Sequence, residues 1–285
     1  MRPNFLVIGA MKAGTTSLHR ELGTHPDVFM SERKELHFFV AEKNWGRGTT
    51  WYEEHFAGAE GHRAIGECSP SYSQADVFEG VADRVVATLP DVRIVYLLRE
   101  PVDRMRSMYV HQVAAGREQR PIEIALRDDP HYLHSSRYAW QLEHYLRVVP
   151  TNRIHIATFE GLRDDRAAVM RAMHHFLGVR PTAIDHPPVH AGAASDRRAR
   201  RPIAGSLARV PGYRSIVDRV PPRLRRAGNR VLRARQTPEA TMSPALRAEL
   251  VDRLRPDVER LRELLGTGAP HWDLLEPPRR DRADR

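Results

Sequence analysis

The chain has 285 residues, with 45 Lys and Arg against 36 Asp and Glu, a formal net charge of +9, 41% hydrophobic residues and 28% charged ones. That apolar share suffices for a core and excludes wholesale disorder, and the longest apolar runs, Phe5–Ala10 and Ile94–Leu98, fall far short of the roughly 20 residues that cross a bilayer. The single cysteine, Cys68, excludes an internal disulfide and a multi-cysteine zinc site; with no secretory leader readable ahead of Phe5, a reducing cytoplasm is the expected location.

In chain order, four short runs read as strands buried on both faces: Phe5–Gly9, Ala64–Glu67, Arg93–Leu98 and Arg153–Phe159, each rich in Val, Ile, Leu or Phe. Thr15–Leu22 follows the first with a helical pattern, and Ala75–Leu89 precedes the third. Pro101–Val113 follows the third, Arg137–Val148 precedes the fourth, and Arg166–Leu177 follows it. This alternation predicts a three-layer α/β fold, a central parallel β-sheet flanked by helices.

Beyond Gly178 the texture changes. Residues 181–235 hold many Pro, Gly and Arg and no clear strand, and read as an Arg-rich loop or cap region. Pro244–Leu265 regains helical periodicity, with Leu246, Leu250, Leu254, Val258, Leu261 and Leu265 on one face and Ser243 as N-cap. Pro256 is expected to kink or split that helix. The predicted organisation is a single domain over 1–275, with a C-terminal helix at 243–266 and a disordered tail over 276–285.

The positive charge is uneven in kind and in place. Only Lys12, Lys34 and Lys43 are lysines; arginine supplies the rest. Thirteen arginines and one acid, Asp218, lie between Arg197 and Arg235, so the remainder of the chain is slightly acidic. Affinity for nucleic acid or membrane would therefore have to reside in that segment alone.

The strongest motif is Gly9-Ala-Met-Lys12-Ala13-Gly14-Thr15-Thr16-Ser17: a buried strand, a glycine-bounded turn, then a helix start with three hydroxyl residues. Such a turn lets successive N–H groups face one point, and the helix N-terminus adds its own donors and dipole, so the loop suits phosphate or sulfate. The nucleoside-triphosphate version places lysine directly after the second glycine. Here Thr15 follows Gly14 and the lysine precedes it by two, which sets the ammonium beside the loop: P-loop-like, but a different use of charge. A second motif is a strand ending at Arg99, then Pro101 opening a helix that carries Arg104, Arg106 and Ser107. An arginine fork and a hydroxyl on one side suit a phosphomonoester dianion.

Gly9 to Ser17, continued by Leu22-Gly-Thr-His25-Pro26-Asp27-Val28 and Lys34-Glu35-Leu36-His37-Phe38-Phe39, resembles the 5′-phosphosulfate loop of sulfotransferases, in particular the carbohydrate branch that includes the heparan sulfate enzymes. Arg93 to Tyr109 resembles the family's 3′-phosphate motif. Gly66-Glu67-Cys68-Ser69-Pro70-Ser71-Tyr72, then Tyr138, Leu142 and Tyr145, Phe159-Glu160-Gly161 and Phe176-Leu177-Gly178 extend the likeness over residues 3–201, with a C-terminal helix ending near Trp272.

The resemblance implies 3′-phosphoadenosine 5′-phosphosulfate (PAPS) as sulfuryl donor, adenosine 3′,5′-bisphosphate as product and no metal. The acceptor is a hydroxyl or amine of a sugar, lipid or small metabolite. Lys12 is then the leaving-group cation. Backbone N–H groups of Ala13, Gly14, Thr15, Thr16 and Ser17 hold the 5′ phosphate, and Arg99 and Ser107 hold the 3′ phosphate. A basic loop at Arg197, Arg198 and Arg201 folds over the 3′ phosphate. Glu67 ends a strand at the carboxyl edge, where open α/β sheets bind ligands, and matches the family's general base. His37 and Glu35 are its rivals.

Cys68 is a departure, because the pattern commonly has lysine there. His174 and His175 are expected on a solvated helix face; Trp45 and Trp51 either line an acceptor cleft or pack. Two other readings stand beside this one. A P-loop kinase is opposed by the displaced lysine and the lack of an Asp-rich strand end for Mg²⁺. An Arg-rich nucleic-acid- or membrane-binding protein leaves two nucleotide motifs without purpose. No nucleic-acid partner is expected, and peripheral membrane contact through 209–235 stays open.

Overall fold

The computed structural model describes residues 1–182 and 241–272. Five parallel strands make one sheet: β1 (Phe5–Gly9), β2 (Val28–Met30), β3 (Ala64–Cys68), β4 (Arg93–Leu98) and β5 (Ile154–Thr158), in the order β2-β3-β1-β4-β5. Every residue of β1 and β3 is buried, which is why they read as unbroken apolar runs rather than alternating ones. β2 was not legible because three residues at a sheet edge carry no period. Phe5 pairs with Gly66 in the register of β1 on β3, and its ring lies where a Cβ on Gly66 would stand, 2.2 Å away. Glycine is required there by that close approach.

The helices are α1 (Thr15–Leu22), α2 (Gly48–Glu54), α3 (Val81–Thr88), α4 (Pro101–Ala114), α5 (Ile122–Asp128), α6 (Pro130–His134), α7 (Tyr138–Leu146), α8 (Phe159–Asp164), α9 (Arg166–Leu177) and α10 (Pro244–Leu265). The pattern expected from Ala75 begins as a helix only at Val81, after Gly80 turns left-handed at a φ of 65°. α10 runs unbroken through Pro256, where a split or kink was expected. Pro costs a helix about 3 kcal/mol. Leu246, Leu250, Leu254, Val258 and Leu261 are all buried along one face, at roughly 1.5–3 kcal/mol each, so docking outweighs the missing hydrogen bond.

α10 also supplies a cap to another helix. Asp257 accepts from the backbone N–H groups of Ala139 (3.0 Å) and Trp140 (3.1 Å), which head α7 and have no acceptor within it. The expected N-cap of α10 is present: Ser243 Oγ accepts from the Leu246 N–H, and Glu123 holds Ser243 in turn.

One surface expectation is corrected. His174 is buried on α9 with Met170, Met173 and Leu177, and its ring meets His25 edge-on at 4.5 Å; only His175 faces solvent. The i, i+3, i+4, i+7 stripe absorbs His174, which the adjacent polar pair concealed. Trp45 and Trp51 pack against the core, with Phe38 at 5.2 and 6.2 Å. The Arg-rich region, including Arg197, Arg198 and Arg201, and the tail lie outside the described residues.

Candidate active site

β1 delivers the chain to the carboxyl edge of the sheet, where the turn between β1 and α1 is built on left-handed backbone. Lys12 has φ 73° and Gly14 φ 94°, and a Cβ on Gly14 would stand 2.9 Å from the Phe159 ring. Of the five backbone donors expected to face an anion, two are already used: the N–H of Ala13 goes to the Ala10 carbonyl (3.1 Å) and that of Ser17 to the Gly14 carbonyl (2.9 Å). Among the described residues, the donors left at the head of α1 are those of Gly14, Thr15 and Thr16.

The second motif arrives beside the first because β4 pairs with β1. Arg99 Nη1 donates to the Lys12 carbonyl (3.4 Å), its guanidinium lies 4.6 Å from the Phe159 ring centre, and its own carbonyl accepts from Tyr138. Arg99 Nε is buried without a partner among the described residues, an orphaned donor beside the loop. Ser107 lies half-buried on α4. Arg104 of the same motif turns inward instead, fully buried and bonded to Ser136 and the Tyr132 carbonyl.

A third segment, residues 35–39, lies across the end of β3. Cys68 joins it to the phosphate loop: its carbonyl accepts from the Glu35 N–H (3.0 Å), and its thiol donates to the Thr15 carbonyl (3.6 Å). Burial pushes that thiol up to about 12, so it is a packing group rather than a nucleophile. Glu35 (φ 65°) and His37 (φ 50°) are both left-handed, a costly conformation for residues with a Cβ. The neighbours Leu36 and Phe38 are fully buried, while Glu35 and His37 keep partial exposure.

Lys34 Nζ donates to Glu35 Oε1 (2.7 Å), and Glu35 Oε2 lies 3.6 Å from His37 Nε2. Burial works to raise the Glu35 carboxyl, but the Lys34 bond and the Lys34, His37 and Lys43 charges outweigh it and hold the group below its ordinary value. His37 is pushed down to about 4, first by burial and then by the Lys43 charge, so its imidazole is neutral at pH 7.

Glu67 has no exposed surface, and its carboxyl oxygens are fully engaged. Tyr52 (2.8 Å) and Tyr72 (2.8 Å) donate to Oε1, Ser69 (2.7 Å) donates to Oε2, and the Leu36 N–H also bonds the group. A carboxylate has about four acceptor positions. All are filled in this arrangement, and burial raises the carboxyl above its ordinary value, so the residue expected as base is an enclosed group here.

Two of the three lysines of the chain act on this segment: Lys34 bonds Glu35, and Lys43 acts electrostatically on Glu35 and His37. Lys34 and Lys43 were not singled out from the sequence, although lysine rarity in an arginine-rich chain was a usable signal. The hydroxyls of Tyr52, Ser69 and Tyr72 carried none.

The fold and these adjoining anion-binding elements define a protein of the P-loop-like, nucleotide-binding α/β class. A family model described as the sulfotransferase domain matches residues 2–189, and the chain belongs to that family. It is similar to the bifunctional heparan sulfate N-deacetylase/N-sulfotransferase 2 of Bos taurus, 30% identical over 203 residues, which cover 63% of this chain and 22% of that protein. It is also similar to the membrane-associated sulfotransferase kil1 of Dictyostelium discoideum, 37% identical over 110 residues, or 38% and 22% of the two chains. The chain thus spans about a fifth of the length of these curated relatives. A solved sulfotransferase from Alicyclobacillus acidocaldarius superposes with a TM-score of 0.66 at 29% identity, covering 93% of this chain and 96% of the other.

The cytoplasmic location expected from the sequence is corrected by these relatives. One of them is a membrane-associated sulfotransferase, which points away from a purely cytoplasmic enzyme. No helix among the described residues is long and apolar enough to cross a membrane.

Proposed function

We propose that the chain transfers a sulfuryl group from PAPS to a hydroxyl or amine of a carbohydrate. The observation that carries this reading is the junction of Arg99 with the Lys12 carbonyl, which brings two phosphate-binding motifs 87 residues apart onto one sheet edge. The residues fit the donor: free amide donors head α1, and an orphaned arginine Nε lies beside them. Gly14, Thr15 and Thr16 N–H groups would hold the 5′ phosphate, and Arg99 and Ser107 the 3′ phosphate. Arg197, Arg198 and Arg201 remain part of the proposal for that phosphate. PAPS supplies an activated sulfuryl group; the chain's part is to align acceptor and donor, neutralise charge on the departing bisphosphate and remove the acceptor's proton. Lys12 serves the second task.

Glu35 serves the third. It is partly exposed, its carboxyl is held in the ionised form beside Lys34, and it adjoins a neutral His37 whose Nδ1 is bonded to Ser71 (2.6 Å). A carbohydrate acceptor is supported by the relative named for heparan sulfate, and an anionic one by the charges of Lys43, Lys34 and Arg33 around His37. Adenosine 3′,5′-bisphosphate is expected to raise the melting temperature without Mg²⁺; no shift would overturn the donor reading. Glu35→Gln should lower turnover by about 10²–10⁴-fold while bisphosphate binding persists. Retained turnover in that variant, with loss in His37→Asn, would move the base to His37.

A further inference from the structure

Three consecutive backbone amides of the Glu35–Phe39 segment end on one buried carboxylate. The Leu36 N–H bonds Glu67 directly. The His37 N–H donates to Ser69 Oγ (3.1 Å), whose hydroxyl donates to Glu67 Oε2 (2.7 Å). The Phe38 N–H donates to the Tyr72 hydroxyl (2.8 Å), which donates to Glu67 Oε1 (2.8 Å). Backbone amides can only donate, so each hydroxyl must pass its own proton on to Glu67, and the direction of both relays is fixed. Outside the relays, the Leu36 carbonyl accepts from Asn44 and the Phe39 carbonyl from Arg84.

A segment with two left-handed non-glycine residues persists only where its surroundings over-determine it. Here three successive amides share one determinant, a single acceptor group near the end of β3, a strand buried along its whole length. We infer that Glu67 is a positioning residue, whose carboxyl holds residues 36–38 through Ser69 and Tyr72 and so aims the Glu35 and His37 side chains at the reaction site. This role rests on the reading of residues 35–37 as the proton-accepting segment, but its structural core can be tested apart from that reading.

The test is Glu67→Gln. Its amide can accept on one side but presents N–H donors to the other, and hydroxyls already donate to both oxygens, so one relay is broken at nearly constant volume. The readout is the His37 imidazole titration followed by NMR, assigned by its disappearance in His37→Gln. The groups facing that ring are Glu35, Lys34, Lys43, Arg33 and Ser71. In the parent protein His37 titrates near 4; released from its cage, it is expected to move toward the ordinary 6.5.

Turnover is expected to fall about 10²-fold, the cost of a misplacement of roughly 1 Å. The acid limb of the pH profile should survive, and bisphosphate affinity should stay within a factor of about two of the parent's, less than half a kcal/mol. A folded Glu67→Gln protein with an unmoved His37 titration would overturn the inference, as would loss of the acid limb, which would make Glu67 the base. An active Glu35→Gln enzyme would sink the base assignment without touching the His37 result. If Glu67→Gln does not fold, Ser69→Ala keeps the carboxyl and cuts one relay; it should shift His37 in the same direction, and no shift there also overturns the inference.

Discussion

At Gly14 two constraints meet in one residue. The backbone φ of 94° disfavours any side chain, and a methyl group would stand 2.9 Å from Phe159, whose ring also supports Arg99. Gly14→Ala is therefore expected to lower stability by about 1–3 kcal/mol, measured by denaturant unfolding, and to abolish the bisphosphate-induced rise in melting temperature. A variant that kept that rise would separate the loop's conformation from its binding. The glycine-bounded turn from Lys12 into α1 was legible because the demands of such a turn are local. The enclosure of Glu67 was not. A glutamate at a strand end looks the same in sequence whether it opens toward a ligand or closes on three hydroxyls, and Tyr52, Ser69 and Tyr72 reach it from separate places in the chain.

The element that shows most about assembly is α10. Its apolar stripe was readable by periodicity and its bounds agree with the expectation, although Pro256 does not split it. Asp257, one residue on, is a second anchor, because both its oxygens cap the amides that begin α7. Asp257→Ala should cost about 0.5–2 kcal/mol, the range for lost helix caps, read as a lower urea midpoint at unchanged slope. Asp257→Asn should fall between the two, since its amide can accept from one of the two N–H groups and repels the other. An unchanged midpoint in the alanine variant would leave the apolar stripe as the whole of the docking. Periodicity reports which face of a helix is buried; it carries no information about which neighbour that face meets.

At the scale of the molecule, half-buried and buried histidines among the described residues contribute to acid sensitivity. His19, His37 and His174 are each pushed from 6.5 down to about 4, foremost by burial. Between those values the unfolded chain binds more protons than the folded one, so stability present above about 6.5 is lost as pH falls toward 4. Glu100 opposes this. Burial and the Asp103 charge raise its carboxyl to about 7 from 4.5, so its folded form takes up a proton first and gains stability as pH falls through that window. Among the described residues His174 has no hydrogen-bond partner on either ring nitrogen, which makes it the group most simply replaced. His174→Phe is expected to show a smaller drop in melting temperature between pH 7 and pH 5 than the parent protein. Equal drops would remove His174 from the account.

The sequence by itself determined the alternating α/β order, the glycine-bounded turn at Lys12–Ser17, the arginine-bearing helix start after β4 and the buried stripe of α10. Each is a matter of short-range spacing, a period of 2 or 3.6 or a turn with fixed residue needs. Only the tertiary structure decided that β4 pairs with β1 and brings Arg99 to Lys12, that Glu35 stands open while Glu67 is enclosed, and that His174 lies inside. Those outcomes depend on which surfaces meet across the sheet and where water is excluded, and a linear pattern of residues carries neither.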